Sequence, residues 1–257
     1  MTPRTVMITG ASRGLGRALA LAFAPQAGRL ILAARSAAHL AATAAEVQKL
    51  HSQCSVLVAG GDLGTRVGIE QLEAEVGRER LGTVDILVNN AGWARPAALA
   101  EASPVDVIAT YYANIIAPTL LCRAVVGGMA RRGWGRIINI SSITAVQAPQ
   151  GLAPYTAAKA GLNALTRCLS AEVGCRGVTV NAIMPGLMLT DMGREAVVTM
   201  EKAHTGLTPE AVIERLKRAV PLRKLTEVSE VAALARYLAG EEAGFITGQV
   251  IGAAGGR

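Results

Sequence analysis

Short runs of consecutive apolar residues recur along the chain, and longer amphipathic stretches separate them. Residues 5–8, 29–34, 55–59, 84–88, 136–140, 178–183 and 248–251 read as strands. These runs are continuous rather than alternating, so both faces of their sheet must be covered. Apolar positions at helical spacing predict helices over 15–24, 37–50, 66–80, 105–129, 155–173, 209–219 and 228–239. Strand and helix alternate from end to end. That order predicts a single α/β domain, a doubly wound parallel sheet of seven strands with right-handed crossovers and helices on both faces. Residues 187–225 hold no strand candidate and are the place for a flap over a substrate.

Composition sharpens this picture. Hydrophobic residues are 51% of the 257 positions and aromatic residues 3%, so the core must be built from Ala, Val, Leu and Ile. A disordered chain is excluded, and a β-sandwich, which uses more aromatics, is disfavoured. The net charge of +7 is scattered, with no basic run longer than Arg131-Arg132. Nucleic acid is therefore not an expected partner; anionic small ligands or acidic proteins are. The four cysteines (Cys54, Cys122, Cys168 and Cys175) form no CxxC or zinc-finger spacing and are expected as free thiols. His39, His51 and His204 have no ligand spacing, so no metal site is expected. Neither a signal segment nor an apolar run long enough to cross a bilayer is read, so the expected location is cytoplasmic and away from membranes.

The candidate chemistry sits at strand ends. Gly10-Ala11-Ser12-Arg13-Gly14-Leu15-Gly16 links the first strand to the first helix. Glycines at that point let a backbone approach a diphosphate whose charge faces the helix N-terminus. The second strand ends Ala34-Arg35-Ser36, without the acid that binds a ribose 2′-hydroxyl in NAD-specific folds. Arg35, Ser36 and Arg13 are instead suited to a 2′-phosphate, which points to NADP(H). Tyr155 and Lys159 lie four apart, on one face of a helix. A phenol beside a cation suits proton exchange with an alcohol or ketone oxygen. Ser142, thirteen residues earlier, and Asn89-Asn90-Ala91-Gly92 each follow a strand. Asn114 lies inside a helix, where asparagine gains little stability.

In these motifs, with Asp62-Leu63, Asn181, Pro185-Gly186 and Thr190, the chain resembles the short-chain dehydrogenase/reductase family over nearly its whole length. The resemblance implies a catalytic set of Asn114, Ser142, Tyr155 and Lys159. Tyr155 would be the general acid/base, Lys159 would lower its pKa and hold the nicotinamide ribose, and Ser142 would polarise the substrate carbonyl. Asn114 would position a relay water. Cofactor contacts are implied for Gly10, Ser12, Arg13, Gly14, Leu15 and Gly16, for Asp62 and Leu63 at the adenine, and for Asn90, Ala91 and Gly92 along the inner ribose. Pro185, Gly186, Met188 and Thr190 would hold the nicotinamide. Trp93 is a candidate for the substrate mouth.

Within the family, the chain looks most like the 3-oxoacyl-[acyl-carrier-protein] reductases. This implies a carbonyl or alcohol substrate, carried on an acyl-carrier protein or CoA, with Arg176 at a basic docking position; Arg131 and Arg132 would extend that patch. A dehydrogenase of small hydroxy acids, polyols or specialised metabolites stays open, as does a non-catalytic NADP-binding regulator. The resemblance also implies a homodimer or homotetramer built on the helices predicted at 105–129 and 155–173.

Overall fold

The computed structural model describes residues 3–203 and 208–257, so His204 lies outside the described residues. The first strand, β1 (Arg4–Thr9), sends Val6 and Ile8 into one core cluster and Met7 into a second. The second, β2 (Ala27–Ala34), divides in the same way, with Leu30 and Leu32 on one side and Ile31 and Ala33 on the other. That double burial is why these strands are apolar at consecutive positions. The remaining strands are β3 (Ser55–Gly60), β4 (Ile86–Asn89), β5 (Gly135–Ile140), β6 (Val178–Pro185) and β7 (Val250–Ala253). All pair in parallel, in the order β3-β2-β1-β4-β5-β6-β7.

The first half contributes helices α1 (Gly14–Phe23), α2 (Ala37–Leu50), α3 (Arg66–Val76), α4 (Arg78–Gly82), α5 (Pro104–Tyr111) and α6 (Ala117–Arg132). The second half contributes α7 (Thr144–Gln147), α8 (Ala153–Val173), α9 (Asp191–Ala203), α10 (Pro209–Arg218) and α11 (Val228–Leu238). The first cluster is covered by α1, α2 and α11, through Leu19, Phe23, Leu40, Val231 and Leu238. The second is covered by α3, α6 and α8, through Leu72, Leu121, Val125 and Leu169. The strand order reverses between β1 and β4, which opens a crevice at their carboxyl ends.

Several expectations are corrected. The helix read over 66–80 is two helices, because Gly77 adopts φ +79°. The helix read over 105–129 runs from Pro104 to Arg132 but contains a π turn, Tyr112–Ile116, between α5 and α6. The last strand starts at Val250 rather than 248: Gly248 turns at φ +70° and donates its amide to Val180 O at 2.8 Å. The flap region contains α9, which was not foreseen. The expectation that no apolar run is long enough for a bilayer also fails, since Pro104–Arg132 passes by length and composition. Its α6 portion packs Leu121, Val125 and Met129 into the second cluster, as a core helix does.

Candidate active site

The glycine turn closes on itself and on the end of β4. A Cβ on Gly16 would stand 1.9 Å from Gly10 O, so only glycine lets α1 start this close to β1. Thr9 Oγ1 accepts from the amides of Asn90 and Ala91, each at 3.0 Å, and Asn90 Nδ2 donates to Thr9 O at 2.8 Å. These bonds lock the Asn89–Gly92 segment to the glycine turn across the crevice. Ser12 O accepts from Thr43 Oγ1 of α2 at 3.4 Å, and Leu15 is buried in the first core cluster.

A buried polar chain ties the strand ends to the helix that carries the reactive pair. Asn89 Nδ2 donates to Asn139 Oδ1 at 2.9 Å, and Asn139 Nδ2 to Thr166 Oγ1 at 2.9 Å. It links β4, β5 and α8, and so sets Ser142 against Tyr155 and Lys159. Ser142 Oγ accepts from the Thr144 amide at 3.2 Å and its hydroxyl at 2.9 Å. Ser142 also neighbours the Tyr155 phenol and favours its ionised form by hydrogen bonding. Thr144 was missed in the sequence, although a hydroxyl residue two positions after a serine is a known local turn signal.

Lys159 is 3% exposed and donates from Nζ to Ile140 O at 2.8 Å. Its Nζ lies 5.7 Å from the centre of the Tyr155 ring. Burial pushes the ammonium down from 10.5 to about 7. Burial also pushes the Tyr155 phenol above its ordinary 10.0, and the bond from Ser142 only opposes this. The expected lowering of the phenol by Lys159 is therefore not what the free protein shows: desolvation wins, and Tyr155 keeps its proton.

Asn114 sits in the π turn and is fully buried. Its Nδ2 donates to Trp93 O at 2.6 Å and Thr110 O at 2.8 Å, while Oδ1 has no protein partner. A Cβ on Gly92 would stand 2.9 Å from Asn114 Oδ1 and 3.6 Å from Lys159 Nζ, so the glycine keeps the space between them open. The four residues expected to be catalytic thus gather at the carboxyl edge of the sheet. Tyr155 also borders a cavity of about 350 Å³ whose walls include Arg95, Ala97, Asp106, Leu152 and Pro154. Trp93 is half-buried and is not among its walls.

The short chain dehydrogenase family profile matches residues 4–201. The chain belongs to the short-chain dehydrogenase/reductase family. It is an oxidoreductase, and ketoreductases are among its relatives. It is 34% identical to the 3-oxoacyl-[acyl-carrier-protein] reductase of Pseudomonas aeruginosa, over 98% of this chain and 96% of that one. It is 35% identical to the acetoacetyl-CoA reductase of Shinella zoogloeoides, over 99% and 98% of the two chains. Among solved short-chain dehydrogenases, a variant of actinorhodin polyketide ketoreductase with NADPH superposes with a TM-score of 0.89 at 31% identity, covering 98% of this chain and 96% of that one. NAD⁺-bound xylitol dehydrogenase superposes with a TM-score of 0.88 at 25% identity, covering 98% of both chains.

The chain's residues fit a nicotinamide dinucleotide, the cofactor of this short-chain dehydrogenase family. The turn at Gly10–Gly16 presents backbone at the N-terminus of α1. Arg35 is exposed and forms no ion pair with a described residue, and Ser36 caps α2 by accepting from the His39 amide at 3.3 Å. Asp62 Oδ1 accepts from the Gly64 amide at 3.0 Å, and the Leu63 side chain is in the second core cluster, leaving only its backbone for an adenine. Pro185 O accepts from the Ile143 amide, and the Gly186 amide donates to Ala253 O, both at 3.0 Å. Met188 packs on the first core cluster. Thr190 meets the glycine turn: a Cβ on Gly14 would stand 3.1 Å from Thr190 Cγ2. Asn181, by contrast, serves the fold, joining β6 to the Ile246 carbonyl at 2.7 Å and the Gln249 amide at 3.1 Å.

Proposed function

We propose that the protein is an NADP(H)-dependent ketone reductase acting on 3-oxoacyl thioesters, with Tyr155 as the proton donor. The observation that carries the reaction is the half-buried Tyr155 phenol at the cavity wall, its pKa raised by desolvation, with buried Lys159 behind it. Bound NADPH supplies the hydride. Ser142 orients the substrate oxygen and polarises its carbonyl. Tyr155 donates a proton to that oxygen. A phenol that keeps its proton is set for reduction, because the developing alkoxide needs an acid. Lys159, poised near 7, returns the proton to Tyr155, and Asn114 Oδ1 is an acceptor for a water that links Lys159 to solvent.

The cofactor choice rests on Arg13 and Arg35 flanking a strand end that has no acid. Arg35→Ala is expected to lower kcat/KM for NADPH about 10- to 100-fold, the cost of one charge-assisted hydrogen bond, with NADH almost unchanged. Equal losses with both cofactors would remove Arg35 from the 2′-phosphate site.

The thioester reductases among the relatives support the substrate class. Arg131 and Arg176 are exposed and available to an acidic carrier protein. Arg132 leaves that patch, because its guanidinium bonds Gly82 O and Val84 O and pairs with Asp85. On this reading the protein is a homo-oligomer, supported by the exposed apolar strip of Val105, Ile108 and Tyr111 on α5. The cytoplasm would keep its four free cysteines reduced. The test is the initial rate of NADPH oxidation with an acetoacetyl thioester, run beside NADH and free ketones. Rapid, NADPH-selective thioester reduction is expected. Turnover of free ketones alone would move the substrate to a small alcohol or polyol.

A further inference from the structure

We propose that Asp191 governs recognition of the cofactor's 2′-phosphate by competing for Arg13. The proposal rests on the NADP(H) reading above. In the structure, Arg13 Nη1 lies 2.7 Å from Asp191 Oδ2. These residues come from the glycine turn and from the first turn of α9, and the contact is not a chance meeting of two long side chains. The neighbouring pair, Gly14 and Thr190, is also in contact. The root of the flap is itself fixed: the Thr190 amide donates to Met188 O and the Arg194 amide to Thr190 O, both at 2.8 Å. A Cβ on Gly193 would stand 1.8 Å from Met188 O, so the chain folds tightly just beyond Asp191. The short Asp191 side chain is therefore carried to Arg13 by backbone placement.

The two cations assigned to a 2′-phosphate are unequal in this state. Arg35 has no carboxylate among the described residues, whereas Arg13 has one. Carboxylate and phosphate monoester compete for the same guanidinium N–H donors. Sharing them would bring two anions together. A dinucleotide with a 2′-phosphate must therefore draw Arg13 away from Asp191, and one with a free 2′-hydroxyl has no charge with which to do so. Asp191 thus subtracts from affinity for the phosphorylated cofactor alone. It also links 2′-phosphate occupancy to release of the first turn of α9. Both side chains are 58% exposed, so the competition is worth a few-fold in affinity rather than orders of magnitude.

The test is calorimetric titration of the full chain with NADP⁺, NAD⁺ and 2′,5′-ADP, for the parent, Asp191→Asn, Arg13→Ala and the double variant. Asp191→Asn is expected to tighten NADP⁺ and 2′,5′-ADP about two- to fivefold and to leave NAD⁺ unchanged. The effect should vanish in the Arg13→Ala background, as a shared interaction requires. Hydrogen exchange at the first turn of α9 should speed up when 2′,5′-ADP binds the parent. If Arg13→Ala weakens NADP⁺ while Asp191→Asn shifts neither cofactor, or both alike, the competition is overturned and the cofactor reading survives. If both Arg13→Ala and Arg35→Ala leave the NADP⁺/NAD⁺ ratio at its parental value, the cofactor reading fails and takes this proposal with it.

Discussion

Tyr155→Phe is expected to lower kcat by at least about 10³-fold while dinucleotide affinity stays within about threefold of the parent. General acid–base catalysis by a positioned side chain contributes about 10² to 10⁴. Here the lost group is the one proton donor aligned by Ser142, so the upper part of that range applies. The phenylalanine ring keeps the wall of the 350 Å³ cavity and its place beside Lys159. Burial already holds the phenol neutral, so the substitution changes no buried charge. Single-turnover rates and fluorescence titration of the cofactor separate the two effects. Parental turnover would remove Tyr155 from the chemistry. Loss of cofactor binding to the same degree as turnover would make it a structural residue.

Lys159→Met should abolish turnover and yet stabilise the fold, most strongly at low pH. The ammonium is buried without a carboxylate partner among the described residues, and its pKa falls from 10.5 to about 7. Below about pH 7 both folded and unfolded chains carry the charge, and the folded state bears the full cost of burying it, roughly 5 kcal/mol. Between about 7 and 10.5 the unfolded chain binds the extra proton, so the parent's stability rises with pH across this window. Methionine fills similar space without charge. The loss of the bond to Ile140 O returns part of the gain. A rise in Tm of at least about 4 °C at pH 6 is expected, shrinking toward pH 10. An identical Tm difference at both pH values would show that the buried ammonium is not what destabilises the parent.

The arrangement of strands was legible because both sheet faces are covered, which leaves runs such as 30–34 apolar throughout. The motif positions were legible because they stand at strand ends, where this architecture places ligands. What escaped depended on local geometry or on burial. α9 is charged and contains Gly193, so it read as flap. Its start was nevertheless signalled by Thr190, whose Oγ1 accepts from the Gly193 amide at 3.4 Å in the manner of a helix cap. Leu63 looked available to an adenine from its motif, but tertiary packing takes its side chain into the core. The upward shift of the Tyr155 phenol was not foreseen, because spacing reveals a neighbouring cation and not how far packing removes the phenol from water. Asp191 had no signature at all, since its partner is 178 residues away in the chain.

The π turn at Tyr112–Ile116 sets two helical phases in what reads as one helix. Each α-helical residue rotates by about 100°, and a π turn inserts one residue beyond the regular count. α6 can therefore turn Leu121, Val125 and Met129 onto the sheet while Asn114 looks toward Lys159. Removing any one residue of that turn would bring the two halves back into phase. Either Asn114 would swing away from Lys159 or the apolar stripe would roll off the sheet. Length changes are usually tolerated in loops and not in cores. In this chain, a place of strict length lies in mid-helix, where an alignment gap of a single residue would part Asn114 from Lys159 or the apolar stripe from the sheet.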